Sequence, residues 1–137
     1  MSFVYERVVR FAEVDAAQVM YFSRVYEIAH EAYEELMTAA GYPPGLVFST
    51  GEWGMPLVHT EADYRQPWRL SGRIRVCAAI KSASDRSVEF EYRFVAEDGT
   101  ERTRVGMRHA FVSLETFRSC AAPEGLIASL EALTQDD

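Results

Sequence analysis

A chain of 137 residues is long enough for one domain with one sizeable core, expected to span residues 1–137. Its formal net charge of −7 argues against general nucleic-acid binding, which needs a basic face to release counterions. No apolar run approaches the roughly 20 residues of a membrane span, and the N-terminus has no basic-then-apolar leader. The expectation is a cytoplasmic protein with neither membrane nor nucleic acid as partner.

Residues 3–11, rich in aromatic and β-branched side chains, predict a first strand. A short polar turn holding Asp15 follows. Apolar or small residues then recur at Phe22, Val25, Tyr26, Ala29, Ala32, Tyr33, Leu36 and Ala40, with Arg24, Glu27, Glu31, Glu34 and Glu35 on the other side. That spacing predicts a long amphipathic helix, which Gly41 and Pro43-Pro44 would end. Residues 45–50 read as a connector with one short helical turn. Residues 52–66 predict a long second strand, with Pro56 marking an irregular start and Pro67 a stop, in which Val58, Thr60, Ala62 and Tyr64 alternate with His59, Glu61, Asp63 and Arg65.

After a turn at Ser71-Gly72, Ile74, Val76, Ala78 and Ile80 mark one face of a third strand. A hairpin over residues 82–85 leads to a fourth, where Val88, Phe90, Tyr92 and Phe94 alternate strictly with Ser87, Glu89, Glu91 and Arg93. Glu97-Asp98-Gly99 is a hairpin turn, and residues 101–114 predict a fifth strand. Pro123 and Glu124 open a short helix to about Leu133, leaving 134–137 to fray. The order implies an α+β fold: an antiparallel sheet with a helix on one face.

The chemistry concentrates where the turn meets the helix. A helix start leaves about four N–H groups unpaired and carries roughly half a positive charge. Such a place stabilises an oxyanion that forms only in a transition state. Asp15 lies a few residues upstream of the amides near Tyr21 and Phe22. A carboxylate there can attack a carbonyl or activate water; equally, Asp15 can cap the helix or fix the turn. Two cysteines (Cys77, Cys120) and three scattered histidines have no metal-ligand spacing, so no metal is expected. His30 and His109 read as structural, the one mid-helix and the other on a strand's apolar face.

Asp15-x-x-x-Val19-Met-Tyr21-Phe22 before an amphipathic helix resembles the signature of hotdog-fold acyl-CoA thioesterases of the 4-hydroxybenzoyl-CoA thioesterase type. Residues 51–67, Gly-Glu-Trp-Gly-Met-Pro-Leu-Val-His-Thr-Glu-Ala-Asp-Tyr-Arg-Gln-Pro, resemble that family's second strand. His30-Glu-Ala-Tyr-Glu and Pro56-Leu-Val-His59 look most like the branch acting on 1,4-dihydroxy-2-naphthoyl-CoA in naphthoquinone synthesis. The resemblance covers about residues 3–116. It implies a curved five-stranded sheet wrapped around one long central helix, and a homodimer or homotetramer formed through a sheet edge. It also implies hydrolysis of an aromatic acyl-CoA without a cofactor beyond the substrate's own coenzyme A.

Under that resemblance Asp15 is nucleophile or general base, and the Phe22 amide, with Tyr21 beside it, forms the oxyanion site. Gln18, His59 and Thr60 meet the substrate, while Arg86 and Ser87 meet the CoA phosphates, helped by Lys81 or by Arg69, Arg73 and Arg75 of a neighbouring subunit. His59 reads equally well as a sheet histidine. Tyr21, Trp53 and Met55 are candidates for the acyl pocket. Two positions depart from the family: Gln18 stands where Gly is usual, and Phe22 stands where some branches carry Tyr or His. A non-catalytic acyl-CoA or acyl-carrier binding module is the alternative; a dehydratase would need His59 to meet Asp15.

Overall fold

The computed structural model describes residues 3–135. In chain order they form β1 (Phe3–Val8), α1 (Arg24–Ala39), α2 (Pro44–Thr50), β2 (Trp53–Gly54), β3 (Leu57–Tyr64), β4 (Arg73–Ala83), β5 (Ser87–Val95), β6 (Glu101–Ala110), β7 (Val112–Ser113) and α3 (Leu126–Thr134). Five strands make one antiparallel sheet in the order β1-β4-β5-β6-β3, and β2 pairs with β7 in a two-stranded sheet.

The strict alternation of β5 decides the core. Phe90, Tyr92 and Phe94 are fully buried, the two phenylalanines each contributing about 1.5–3 kcal/mol through lost apolar exposure. Ile74, Val76 and Ala78 of β4 and Val105 and Met107 of β6 lie on the same face. Against it packs the stripe of α1: Val25, Ile28, Ala29, Ala32, Leu36 and Met37. The small residues Ala29 and Ala32 let the helix approach the sheet closely. Gly41 ends α1 in a left-handed conformation (φ 95°), with its N–H donating to Thr38 and that of Tyr42 to Met37. This is the 6→1 and 5→2 pairing of a Schellman motif.

Three strand expectations change. The first strand stops at Val8, and Phe11 falls in a 3-10 turn over Phe11–Glu13. The long second strand divides at Met55-Pro56 because proline lacks the N–H needed to continue a ladder. The fifth divides at Phe111, whose N–H donates instead to the Arg86 carbonyl (3.0 Å). The helix expectation changes too. α1 has 16 residues and begins at Arg24, leaving Phe22 exposed, and it is joined by α2 and by α3, whose Leu126 and Leu130 enter the core. Thr134, expected to fray, is buried in the last turn of α3, donating to the Leu130 carbonyl (2.8 Å). Asp136 and Asp137 lie outside the described residues.

Candidate active site

Residues 14–20 fold back on themselves as a small hairpin, with Val14 bridged to Met20 and Val19 to Arg69. Asp15 organises its tip. Its N–H donates to the Val19 carbonyl (3.0 Å), its carbonyl accepts from Gln18 (2.9 Å), and its Oδ1 accepts from the Ala17 N–H (2.8 Å). Asp15 therefore fixes its own turn and does not cap α1. Its second oxygen accepts no hydrogen bond among the described residues, and the side chain is exposed. Gln18 follows at φ 66°, in the left-handed region that favours glycine. The departure at this position thus costs about 1–2 kcal/mol of backbone strain.

The start of α1 is uncapped. Ser23, the residue flanking the helix, has helical dihedrals and makes no side-chain cap bond. The Phe22 and Ser23 N–H groups have no protein acceptor among the described residues, whereas those of Met20, Tyr21 and Arg24 are each paired. Beside them, Tyr64 at the end of β3 donates to the Phe22 carbonyl (2.6 Å). A cavity of about 360 Å³ lies between Met20, Phe22, Val25, Tyr64 and Trp68. Tyr21 and Phe22 are 48% and 57% exposed, their rings 4.9 Å apart, so two apolar side chains flank the free amides without being part of the core.

A larger cleft of about 950 Å³ runs along α1 toward α2 and β2, lined by Tyr26, His30, Tyr33, Phe48, Trp53 and Met55, among others. Trp53 and Met55 thus line a pocket as expected, but Tyr21 does not share it. Tyr33 is stacked between His30 (4.9 Å) and the buried His109 (4.8 Å, planes 9° apart), and burial raises its phenol to about 12. His109 Nδ1 lies 2.9 Å from the Met55 carbonyl, an acceptor that requires the proton on Nδ1. Burial lowers the His109 pKa below its ordinary value, and Nε2 has no hydrogen-bond partner among the described residues.

The remaining expected site residues lie elsewhere. His59 is on the outer face of the sheet, opposite Arg108 and 3.9 Å from Glu61, whereas Thr60 is on the helix face, donating to the Gly106 carbonyl (2.9 Å). Within one chain His59 and Asp15 do not meet. Arg86 reaches back to the Ser119 carbonyl (3.1 Å), and the Ser87 hydroxyl pairs with that of Ser84 (3.0 Å). Both sit at the β4–β5 hairpin, at the Leu57 end of the sheet, while Phe22 is held at the Tyr64 end. Among the described residues no group of three or more His, Cys, Asp or Glu could hold a metal, and no helix is long and apolar enough to cross a membrane.

Residues 9–130 match the family model of the Thioesterase-like superfamily. The chain belongs to this superfamily. A protein of Synechococcus sp. (strain CC9311) named 1,4-dihydroxy-2-naphthoyl-CoA hydrolase is 32% identical over 136 residues, 94% of this chain and 89% of its own length. One of the same name from Prochlorococcus marinus (strain MIT 9303) is 31% identical over 133 residues, 92% and 87% of the two lengths. The crystal structure of a 1,4-dihydroxy-2-naphthoyl-CoA thioesterase from Synechocystis superposes with a TM-score of 0.89 at 27% identity, covering 95% of this chain and 96% of that one.

This thioesterase is a thioester hydrolase with the hotdog-like α+β fold, which displaces the reading as a binding module. Two features of its site escape sequence reasoning. Tyr64 reads only as one more alternating residue of a strand, and its partner is 42 positions away. The Tyr33–His109 stack joins a helix to a strand, and no local pattern announces it.

Proposed function

We propose that this thioesterase hydrolyses an aromatic acyl-CoA, with 1,4-dihydroxy-2-naphthoyl-CoA first and 4-hydroxybenzoyl-CoA next, to the free acid and CoA. The observation that carries the chemistry is an exposed Asp15 carboxylate, one oxygen free, on a hairpin leading straight into the uncapped start of α1. The carboxylate attacks the thioester carbonyl, or takes a proton from a water that does so. The carbonyl electron pair moves to oxygen and is held by the Phe22 and Ser23 N–H groups. When the pair returns, the C–S bond breaks and the thiolate of CoA leaves. A water then hydrolyses the Asp15 anhydride if the carboxylate attacked; if water attacked, the proton held on Asp15 passes to the thiolate. Either way the free acid is released. No metal or redox cofactor enters these steps. The named relatives support the aromatic substrate, as does the cleft of Tyr26, Tyr33, Trp53 and Phe48.

A second copy completes this reading. β3 is a sheet edge with Leu57, Val58 and Tyr64 exposed. If two copies pair antiparallel along β3, the Tyr64 end of one meets the Leu57 end of the other. Asp15 and Phe22 of one copy then face the Arg86 hairpin of the second, uniting groups that one chain keeps at opposite ends of the sheet. A homodimer, alone or doubled to a tetramer, is therefore the proposed working unit, with Arg86 and Ser87 toward the CoA phosphates.

The test is thiol release from a panel of aryl- and alkyl-CoA thioesters, with Asp15→Asn alongside. Turnover of an aryl-CoA that falls by about 10³-fold in the variant is expected. Wild-type turnover in Asp15→Asn would reject the assignment of Asp15.

A further inference from the structure

Phe22 stands one residue before Ser23, which flanks α1, so its carbonyl lies outside the intrahelical ladder. It is held instead by a distant side chain: the Tyr64 hydroxyl donates to it at 2.6 Å, while the Tyr26 N–H closes a tighter turn onto the Ser23 carbonyl (3.2 Å). The Phe22 carbonyl shares its peptide plane with the Ser23 N–H, one of the two free amides. Whatever holds the oxygen therefore sets where the N–H points.

We propose that Tyr64 is a positioning residue of the hydrolytic site. From the edge strand it grips the Phe22–Ser23 peptide, aims the Ser23 N–H at the developing oxyanion and makes that N–H a second oxyanion donor beside Phe22. This rests on the oxyanion reading given above and extends it to a residue on another element.

Three features fit the role. Hydrogen bonding at a peptide carbonyl polarises the whole unit and strengthens its N–H as a donor. The phenol stays protonated throughout the physiological range, its pKa raised to about 12 by burial and by the neighbouring Tyr26, so it always donates. Tyr64 also lies opposite Thr103 of β6, whose hydroxyl accepts from the Trp68 indole N–H (3.0 Å), while the Trp68 carbonyl accepts from the Met20 N–H (2.7 Å). The strand end and the turn before α1 are thus held to one another at several points, and Tyr64 is the point that reaches the oxyanion peptide.

Tyr64→Phe keeps the ring and removes only the hydroxyl, and at 47% exposure the residue is outside the core. The assay uses whichever of 1,4-dihydroxy-2-naphthoyl-, 4-hydroxybenzoyl- or benzoyl-CoA the wild-type enzyme turns over fastest. Removing an oxyanion donor outright costs roughly 10²–10³ in kcat. Loosening one is expected to cost about tenfold in kcat, with KM within twofold, the melting temperature unchanged and the Ser23 amide resonance moved upfield. Wild-type kcat with an unmoved Ser23 resonance would overturn the proposal, as would losses in kcat, KM and melting temperature together, which mark a merely structural role. Asp15→Asn, run in parallel, separates the two levels. If it is inactive while Tyr64→Phe is fully active, Tyr64 alone is rejected; if it is active, the underlying assignment of Asp15 fails.

Discussion

The two edges of the sheet are built on opposite rules. β1 is latched. Tyr5 donates to Glu31 (2.8 Å), Arg7 reaches both oxygens of Glu31 (2.9 and 3.1 Å) and also pairs with Glu13, and Glu6 pairs with Arg75 (3.3 Å). Its side chains thus tie the edge to α1, to the following turn and to β4, and charge on an edge discourages pairing with another chain. β3 is tied differently: His59 pairs with Glu61 of its own strand (3.9 Å) and Tyr64 donates to the Phe22 carbonyl (2.6 Å). Its exposed residues include Leu57, Val58 and Tyr64, and Val58 falls at a break in the register with β6. One edge locks its charges onto the helix and strand beside it, whereas the other leaves Leu57 and Val58 exposed among the exposed His59, Glu61 and Asp63.

The comparison breaks most visibly by charging each edge in turn. Val58→Lys places a cation on β3 and is expected to weaken the proposed pairing of two copies by a hundredfold or more, read by sedimentation across a concentration series, with turnover falling in step. Val4→Lys on β1 should change neither. Equal effects at the two edges would remove the distinction.

Removing the latch is the next largest effect. Arg7 is nearly buried, so Arg7→Ala leaves Glu13 and Glu31 facing each other without their cation. Breaking a fully buried pair costs more, but Glu31 is 40% exposed and water would screen it; a loss of about 2 kcal/mol in a urea melt is expected.

The smallest effect reads the covered interior behind β3. His109, directly opposite Leu57, has a pKa lowered by burial. As pH falls, the unfolded chain takes up the proton near 6.5 while the folded one still refuses it. Stability should decline from about pH 6.5 downward and level off below the folded value. This contribution to the pH slope should vanish in His109→Phe.

The latch and the open edge were unequally legible. The alternation in β5 and the stripe on α1 are local patterns in which burial and polarity change every second residue or every turn, and both can be read off the chain. So can the turn at Asp15, since the residues of its hydrogen bonds are at most four apart. Pro56 marks an irregular start to the second strand in the sequence, whereas the break at Phe111 leaves no local mark, because an apolar run continues across it. The spacing of Phe22 fits the buried stripe, but the helix starts two residues later and leaves it exposed.

Periodicity and turn chemistry by themselves determined an antiparallel α+β protein with one main amphipathic helix. Thioester hydrolysis came from the resemblance that the Asp15-to-Phe22 motif carries, since the spacing alone fits a turn or cap residue just as readily. Tertiary structure alone decided that the Arg86 hairpin and Phe22 lie at opposite ends of the sheet, that His59 turns away from α1, and that Tyr64 reaches the Phe22 carbonyl. The reason is physical. The face a side chain takes is dictated by its own strand or helix, whereas its neighbour across the sheet depends on how distant strands pair. β3 joins β6 and β1 joins β4 only when the whole core closes.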